Sequence, residues 1–205
     1  MHIQYVNKQG EIVPSVTTVL KIINKPALIK WANYLGFKHK RVGDVLELAA
    51  DMGTLVHFFV ECIIMDYLPI INIPNYIDRG ELKYRIHNFK LWREENELEP
   101  ISCELSLSGK RHGGTIDYYG KVNGKYTIMD FKTSKSFYES MFIQLSGYIL
   151  LMEEFGYKID QVIILLLKPD KWEEKIIQRC DMELYIDTFK KALELYNAYI
   201  KHDKI

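Results

Sequence analysis

The dipeptide Asn123-Gly124 constrains the fold most strongly, because it separates two runs of strand-forming residues, GGTIDYYGKV and KYTIMDFKTS. An Asn-Gly pair in this setting favours a two-residue type I′ turn between antiparallel strands. In such a hairpin Val122 faces Lys125, and the more distant pairs follow by counting outward from the turn. The sequence therefore predicts two strands together with their register.

This register places Asp117 directly opposite Asp130, with Cβ atoms about 5 Å apart. Lys132 shares their face, because side chains along a strand alternate with period two. Two facing carboxylates destabilise a sheet unless a cation compensates them or the pKa of one rises. Such oxygen ligands, helped by a backbone carbonyl such as that of Phe131, suit Mg²⁺ or Mn²⁺. The alternative is an exposed strand face on which Asp and Lys form ordinary ion pairs.

The chain has 205 residues, which is long enough for a substantial core, and we expect a single domain over residues 1–205. A hydrophobic fraction of 48% and a charged fraction of 26% are typical of a soluble globular protein. The N-terminus lacks the apolar segment of a signal peptide, and the apolar run at 162–167 is too short to span a bilayer. We therefore expect a cytoplasmic protein without membrane contact.

The charge is unevenly distributed, although the net charge is zero. Residues 1–43 contain one acidic residue, Glu11, against seven basic residues: Lys8, Lys21, Lys25, Lys30, Lys38, Lys40 and Arg41. This segment could bind a polyanion, or it could be a solvated, lysine-rich surface. Trp31, Tyr34 and Phe37 lie among these residues and could stack on a nucleic-acid strand, unless they pack between helices.

Helical patterns dominate residues 1–98, strands and one apolar helix occupy residues 99–180, and an amphipathic helix closes the chain at 181–205. Ser15 is the expected N-cap of the first helix, and Ser136 with Glu139 matches a capping box before the apolar helix. Three strands form a β-meander, and the apolar strand QVIILLLK is expected to be covered on both faces. This order predicts an α/β or α+β fold with a sheet flanked by helices.

Four further polar residues lie where a site could include them. Glu104 is on the strand before the hairpin, and the irregular SGKRHGG turn leaves its register against Asp117 open. His57 is on an apolar helix, where a histidine is more often a core or boundary residue. Gln144 and Tyr148 share one face of the helix that follows Lys132, where helix packing is the alternative role.

The ordered segments GTLVH, Glu104, GTID, DFKTSK and QLSGY resemble the motifs of the PD-(D/E)XK nuclease superfamily, and within it the RecB-like exonucleases. The segments VPSVTTVL and KPALIKWA are similar to the N-terminal part of single-domain members. The resemblance implies a restriction-endonuclease-like core with the element order αβββαβ, a central mixed sheet and an N-terminal helical extension.

The resemblance also implies roles for individual residues. His57, Asp117, Asp130 and the Phe131 carbonyl would hold one or two Mg²⁺ or Mn²⁺ ions, and Lys132 would assist the attacking water. Glu104 would be a further acidic residue of the catalytic site, with a less defined role. The residues expected to contact DNA or support the site are Gln144, Tyr148, Lys135, Lys30, Lys38, Lys40 and Arg41.

The expected function is that of a metal-dependent DNA exonuclease in phage or prophage recombination or in DNA repair. The alternatives are a structure-specific endonuclease on the same core and a non-catalytic nucleic-acid-binding module. The expected partner is DNA, and a homo-oligomer or a recombination or repair protein is compatible with the resemblance. We expect buried free thiols, because Cys62, Cys103 and Cys180 are far apart. The resemblance implies no iron-sulfur cluster, since the members that carry one use four cysteines on both sides of the nuclease core, and here only Cys180 follows QLSGY.

Overall fold

The computed structural model describes residues 3–23 and 26–202, so Lys25 and the predicted helical residues 203–205 lie outside the described residues. The helices are α1 (Val16–Val19), α2 (Pro26–Phe37), α3 (Val42–Met65), α4 (Arg79–Glu95), α5 (Glu139–Glu154) and α6 (Glu183–His202). The strands are β1 (Tyr5–Val6), β2 (Ile12–Val13), β3 (Leu98–Ser108), β4 (Gly113–Val122), β5 (Lys125–Lys132), β6 (Gln161–Leu167) and β7 (Trp172–Gln178). Short 3₁₀ turns follow α1 and precede α6.

The fold is a mixed α/β structure, as predicted, with a five-stranded sheet flanked by helices. The strand order is β3-β4-β5-β6-β7, so each strand pairs with its neighbours in sequence. All pairs are antiparallel except β5 and β6, which run parallel because α5 connects them. β6 is buried along its whole length, and β7 is more exposed, as expected for a central strand and an edge strand.

The predicted hairpin turn is confirmed by its backbone conformation. Asn123 and Gly124 have φ angles of 51° and 77°, as a type I′ turn requires. The ladder runs from Val122–Lys125 to Tyr118–Met129, in the register that the turn predicts. Local turn chemistry thus determines the pairing of these two strands.

The sheet separates two apolar cores. The first core lies between the sheet and helices α1, α5 and α6, and Leu145, Ile164 and Phe189 are fully buried in it. The second core lies between the sheet and helices α3 and α4, and it contains Val56 and Trp92. The result is three layers, helix–sheet–helix, with the β-meander in the middle layer.

Some local details differ from the sequence-based expectations. Ser15 caps α1 through a hydrogen bond from the Thr18 amide, as predicted, but the capping box at Ser136 is not formed. The N-cap of α5 is Tyr138, which makes no side-chain capping bond, because the preceding segment is extended and α5 is held by burial of its apolar face. The hairpin of β1 and β2 was not predicted, since each of its strands has only two residues.

The cysteines also differ from the expectation of buried thiols. All three are free, and Cys62 is buried, but Cys103 is half-buried and Cys180 is exposed. Cys180 lies in the 3₁₀ turn before α6, where the chain runs over the surface between two elements. Burial is therefore not shared by the three thiols.

Among the described residues, α3 is long and apolar enough to cross a membrane, with a mean hydropathy of 1.6 in its most apolar stretch. Of that stretch, 33% is buried in the protein. A single helix of this kind is a weak indication, because a core helix of a soluble protein passes the same test.

Gly147 tests the packing of α5 in the first core. A Cβ atom at this position would lie 2.8 Å from the Phe189 ring and 2.9 Å from Val16 Cγ1. We expect Gly147→Ala to lower the free energy of unfolding by about 2 kcal/mol, because the core has no space for a methyl group. Urea unfolding followed by circular dichroism measures this change.

The matched control is Gly36→Ala, in the last turn of α2, where an added Cβ would meet no atom within 4 Å. It should leave stability unchanged or raise it slightly. Equal stability of the Gly147→Ala variant and the wild type would contradict the packing described for α5.

Candidate active site

Strands β4 and β5 separate at the two aspartates of the hairpin. Their ladder ends at Tyr118–Met129, one pair before Asp117 and Asp130, so the direct backbone pairing expected for the two aspartates is not formed. Beyond this point the Asp117 carboxylate replaces a backbone acceptor, and its Oδ2 accepts the Phe131 N–H at 2.8 Å. The strands therefore form a fork with Asp117 at its branch point.

Side-chain alternation reverses at the same place. Residues two apart on a strand normally face the same side, yet Ile116 belongs to the first core and Tyr118 to the second. On β3 Leu105 packs on the first core and Cys103 on the second. The residue between them, Glu104, has a φ angle of 49°, a left-handed conformation that costs on the order of 1 kcal/mol for a residue other than glycine.

This irregularity settles the position of Glu104, which the sequence left open. The pairs Cys103–Tyr118 and Leu105–Ile116 bracket it, so Glu104 lies opposite Asp117. A ring nitrogen of His57 and one carboxylate oxygen each of Glu104 and Asp117 all lie within 4.8 Å of one another. The structure thus brings these three residues together as a group that could hold a metal ion.

The Glu104 carboxyl is held close to another acid. Glu104 is exposed as a residue, but partial desolvation of its carboxyl and the charge of Asp117 raise the pKa of Glu104 to about 7. His57 acts in the opposite direction and lowers this pKa. Desolvation is the larger cause of the shift, and the charge of Asp117 adds a negative potential that favours a bound cation.

His57 connects α3 to the fork. Its Nε2 lies 2.8 Å from the carbonyl oxygen of Phe131, and its Nδ1 lies 3.5 Å from Asp117 Oδ2. A carbonyl oxygen can only accept, so Nε2 carries the proton and neutral His57 has its lone pair on Nδ1. The nitrogen that is free to bind a metal is therefore directed at Asp117, and the Phe131 carbonyl orients the imidazole.

Asp130 has different partners from Asp117. Its Oδ2 lies 2.6 Å from Lys132 Nζ, and its Oδ1 accepts a hydrogen bond of 3.1 Å from Gln144 Nε2. Gln144 Nε2 also donates to the hydroxyl of buried Tyr148 at 2.9 Å. Gln144 and Tyr148, which the sequence placed near the site, thus hold Asp130 from α5.

In the ion pair of Asp130 and Lys132, the carboxylate is almost completely desolvated and the lysine is partly buried. Asp130 is 1% exposed, and burial raises its pKa to about 6 even though Lys132 acts to lower it. Burial lowers the pKa of Lys132, but the charges of Asp130 and Asp117 outweigh this effect, so it remains raised and the lysine is an ammonium ion at neutral pH. Despite the short contact, Asp130 Oδ2 receives no well-aligned hydrogen bond among the described residues.

The donor set at the fork fits a divalent cation. His57, Glu104 and Asp117 supply one imidazole nitrogen and two carboxylates. Asp130 has a poorly satisfied Oδ2, and the charge of Asp117 contributes to its raised pKa. Hard divalent ions prefer such oxygens, and Mn²⁺ accepts carboxylate ligands as Mg²⁺ does. The expected ligands were His57, Asp117, Asp130 and the Phe131 carbonyl. In the structure the group around Asp117 consists of His57 and Glu104, without Asp130.

The sequence-based reasoning missed Arg85, which is 7% exposed and anchors the strand that carries Lys132. Its guanidinium donates to the carbonyl of Thr133 at 3.1 Å and to the carbonyl of Leu167. Two further bonds, of 2.9 and 2.6 Å, join it to Glu81 Oε1. Only the i, i+4 spacing of Glu81 and Arg85 was visible in the sequence, and such pairs are common on exposed helices.

The basic residues expected to contact DNA lie on the surface. Lys30, Lys38, Lys40 and Arg41 are exposed on α2 and in the turn to α3, and Lys135 is exposed between β5 and α5. Lys38 lies 5.9 Å from the ring centroid of Tyr34, and Arg41 lies 3.9 Å from Asp44. None of the five forms a hydrogen bond or ion pair with the fork within the described part of the chain.

Comparisons with known proteins find similarity among solved structures. No protein-family model and no curated protein matches the chain. A phage-related exonuclease from Haemophilus somnus 129PT matches with 15% identity and a TM-score of 0.44, over 94% of this chain and 96% of that chain. The alkaline exonuclease LHK-Exo from Laribacter hongkongensis matches with 13% identity and a TM-score of 0.34, over 94% and 93%. LHK-Exo in complex with dAMP matches with 14% identity and a TM-score of 0.34, over 77% and 90%. Such values do not assign a function, which has to be argued from the site.

The raised pKa of Glu104 can be tested in the metal-free protein. We expect the Glu104 carboxyl to titrate near pH 7, and Asp117→Asn to lower this pKa because it removes a neighbouring negative charge. The folded-state pKa of Glu104 lies above the ordinary value of 4.5, so protonation of this carboxyl stabilises the fold. The stabilisation is complete below pH 4.5 and is lost as the pH rises from 4.5 through 7. Carbon-detected NMR of the carboxyl groups measures both values. An ordinary pKa for Glu104 in the wild type would contradict the described cluster.

Arg85 should be required for stability. Arg85→Met removes the donors to Thr133 and Leu167 and leaves Glu81 without its partner, so we expect the free energy of unfolding to fall by about 3 kcal/mol. Arg111→Met, at an exposed arginine, is the matched control and should change it by less than about 0.5 kcal/mol. Equal effects of the two substitutions in urea unfolding would show that Arg85 does not anchor the strand ends.

Proposed function

We propose that this protein is a metal-dependent nuclease that hydrolyses phosphodiester bonds in DNA. The observation that carries the proposal is the position of the His57, Glu104 and Asp117 cluster at the same fork as the buried Asp130–Lys132 ion pair. A cation site beside a charged lysine suits a reaction in which negative charge develops on a phosphate.

The cation would be Mg²⁺ or Mn²⁺, held by His57 Nδ1, Glu104 and Asp117, and Asp130 would be a ligand of a second ion. A bound divalent cation supplies two things to such a reaction: a lower pKa for the attacking water and neutralisation of charge on the phosphate. The Phe131 carbonyl orients the His57 imidazole, and its second lone pair is available to a cation.

Lys132 would bind the scissile phosphate and orient the attacking water. Its side chain is 22% exposed and that of Asp130 is 2% exposed, so part of the lysine side chain remains accessible while its partner is buried. Asp130 maintains the charge of Lys132, and Gln144 and Tyr148 fix the position of Asp130 from the opposite side. A lysine held in this way loses little conformational freedom when a phosphate arrives.

DNA is the proposed substrate because exposed cations and aromatic rings occur together on α2. Tyr34 and Phe37 are 57% and 84% exposed, Lys30 lies on the same helix, and Lys38 follows directly after its last residue. Exposed rings between cations bind single-stranded nucleic acid by stacking and by phosphate contacts. We propose exonuclease activity on DNA ends, in recombination or repair, within a single catalytic domain. A homo-oligomer or a protein partner remains a prediction.

The catalytic proposal predicts the effects of two substitutions. Lys132→Ala and Asp117→Asn should each lower DNA degradation in Mg²⁺ or Mn²⁺ by about 100-fold or more, because a charged group at the reacting phosphate is lost. Only Asp117→Asn should also weaken Mn²⁺ binding in calorimetry. Lys158→Ala, an exposed lysine paired with Asp160 at the far end of the sheet, is the control and should retain full activity. Unchanged degradation by the Lys132→Ala and Asp117→Asn variants in a clean preparation would exclude this site.

The two alternatives give different results in the same assay. An exonuclease degrades linear DNA and leaves covalently closed circles intact, whereas cutting of closed circles would identify an endonuclease on this core. A non-catalytic binding module would bind DNA in every variant and degrade none of the substrates with either metal.

A further inference from the structure

A groove on the outer surface of the α3–α4 layer has the features of a binding surface. Its volume is about 320 Å³, and Phe59, Ile73, Leu82 and Ile86 form its apolar lining. Phe59 comes from α3, Ile73 from the loop before α4, and the other two residues from α4. His57, only two residues before Phe59, is directed at the sheet, so the groove and the candidate active site use different faces of α3.

One edge of the groove is a row of basic side chains. Arg79, Lys83, His87 and Lys90 line it and are exposed, and they follow one another at helical spacing along a single face of α4. The row is about 17 Å long, from the rise of 1.5 Å per residue. None of these four residues forms an ion pair within the described ranges, and no acidic residue lines this part of the groove.

The neighbouring loop adds exposed aliphatic side chains. Leu68 and Ile70 are 86% and 93% exposed in the connection between α3 and α4. Beyond Lys90 the groove continues into a hollow of about 350 Å³, which is lined by Ile63, Arg93 and Glu94. An apolar groove with a polar rim is characteristic of protein-binding sites.

We propose that this groove binds an acidic amphipathic helix of another protein. Apolar side chains of the helix would enter between Phe59 and Ile86, and its acidic residues would face the basic row. Acidic residues three or four apart along a helix repeat about every 6 Å, the spacing at which Arg79, Lys83 and His87 repeat on α4. Charge complementarity and the apolar lining together determine this choice of partner.

A nucleic acid fits the same surface less well. The apolar part of the lining is aliphatic apart from Phe59, whereas bases bind mainly by stacking on aromatic faces. The binding surface proposed for DNA has two exposed rings on α2, so the two surfaces differ in chemistry as well as in position. The inference does not depend on the proposed nuclease activity.

A phage-displayed library of random 16-residue peptides, selected on the immobilised full-length protein, tests the proposal. We expect the enriched peptides to combine Asp or Glu with Leu, Ile or Phe at helical spacing. In fluorescence anisotropy, the double variant Lys83→Glu/Lys90→Glu should bind these peptides at least about tenfold more weakly than the wild type. Binding to the wild type should also weaken as the salt concentration rises.

The control variant is Lys125→Glu/Lys191→Glu, which makes the same change in charge on the β4–β5 turn and on α6. It should bind the peptides as the wild type does. Four results would overturn the proposal: no enrichment, enriched peptides without acidic residues, equal binding by both double variants, or dimers of the wild type that Lys83→Glu/Lys90→Glu abolishes. An 18-nucleotide single strand serves as a competitor in the same assay. If it displaced the peptides and its own binding also required Lys83 and Lys90, the groove would be assigned to nucleic acid instead.

Discussion

The hydrogen bond between the Asp117 carboxylate and the Phe131 amide determines the geometry of the candidate site. At this point a side chain of β4 takes the place of a backbone acceptor, so the β4–β5 ladder ends and the strands diverge. The Phe131 amide remains satisfied, which it must be in a buried strand. The carbonyl of the same residue faces His57 at 2.8 Å, so one residue of β5 orients two members of the proposed metal site.

The fork also explains how several acids can lie close together in a folded protein. Glu104 is protonated more readily than an ordinary glutamate, and Asp130 is neutralised by the partly buried Lys132. Each of these arrangements has a free-energy cost: left-handed backbone at Glu104, and loss of hydration at Asp130 and Lys132. The two cores on either side of the sheet offset such costs, and Arg85 connects the second core to the ends of β5 and β6.

The success of sequence-based prediction here depended on the range of the interactions involved. The turn at Asn123-Gly124 predicted the pairing of Tyr118 with Met129 correctly, because the preference of these two residues for positive φ is local. The capping box at Ser136 failed although its motif is also local, since α5 is held by packing and begins three residues later. The register of Glu104 could not be predicted, because it follows from an irregularity shared by two strands.

The sequence by itself determined the α/β class, the order of the elements, the β-meander and the set of polar residues from which the candidate site is built. Only the tertiary structure decided how these residues divide: Asp117 joins His57 and Glu104, whereas Asp130 joins Lys132 and Gln144. Period-two alternation would place Asp117 and Asp130 on one face, and it holds only while a strand is regular. At Glu104 and Asp117 the alternation reverses in two neighbouring strands, and contacts with α3 and α5, far away in sequence, then select the partners of each carboxylate.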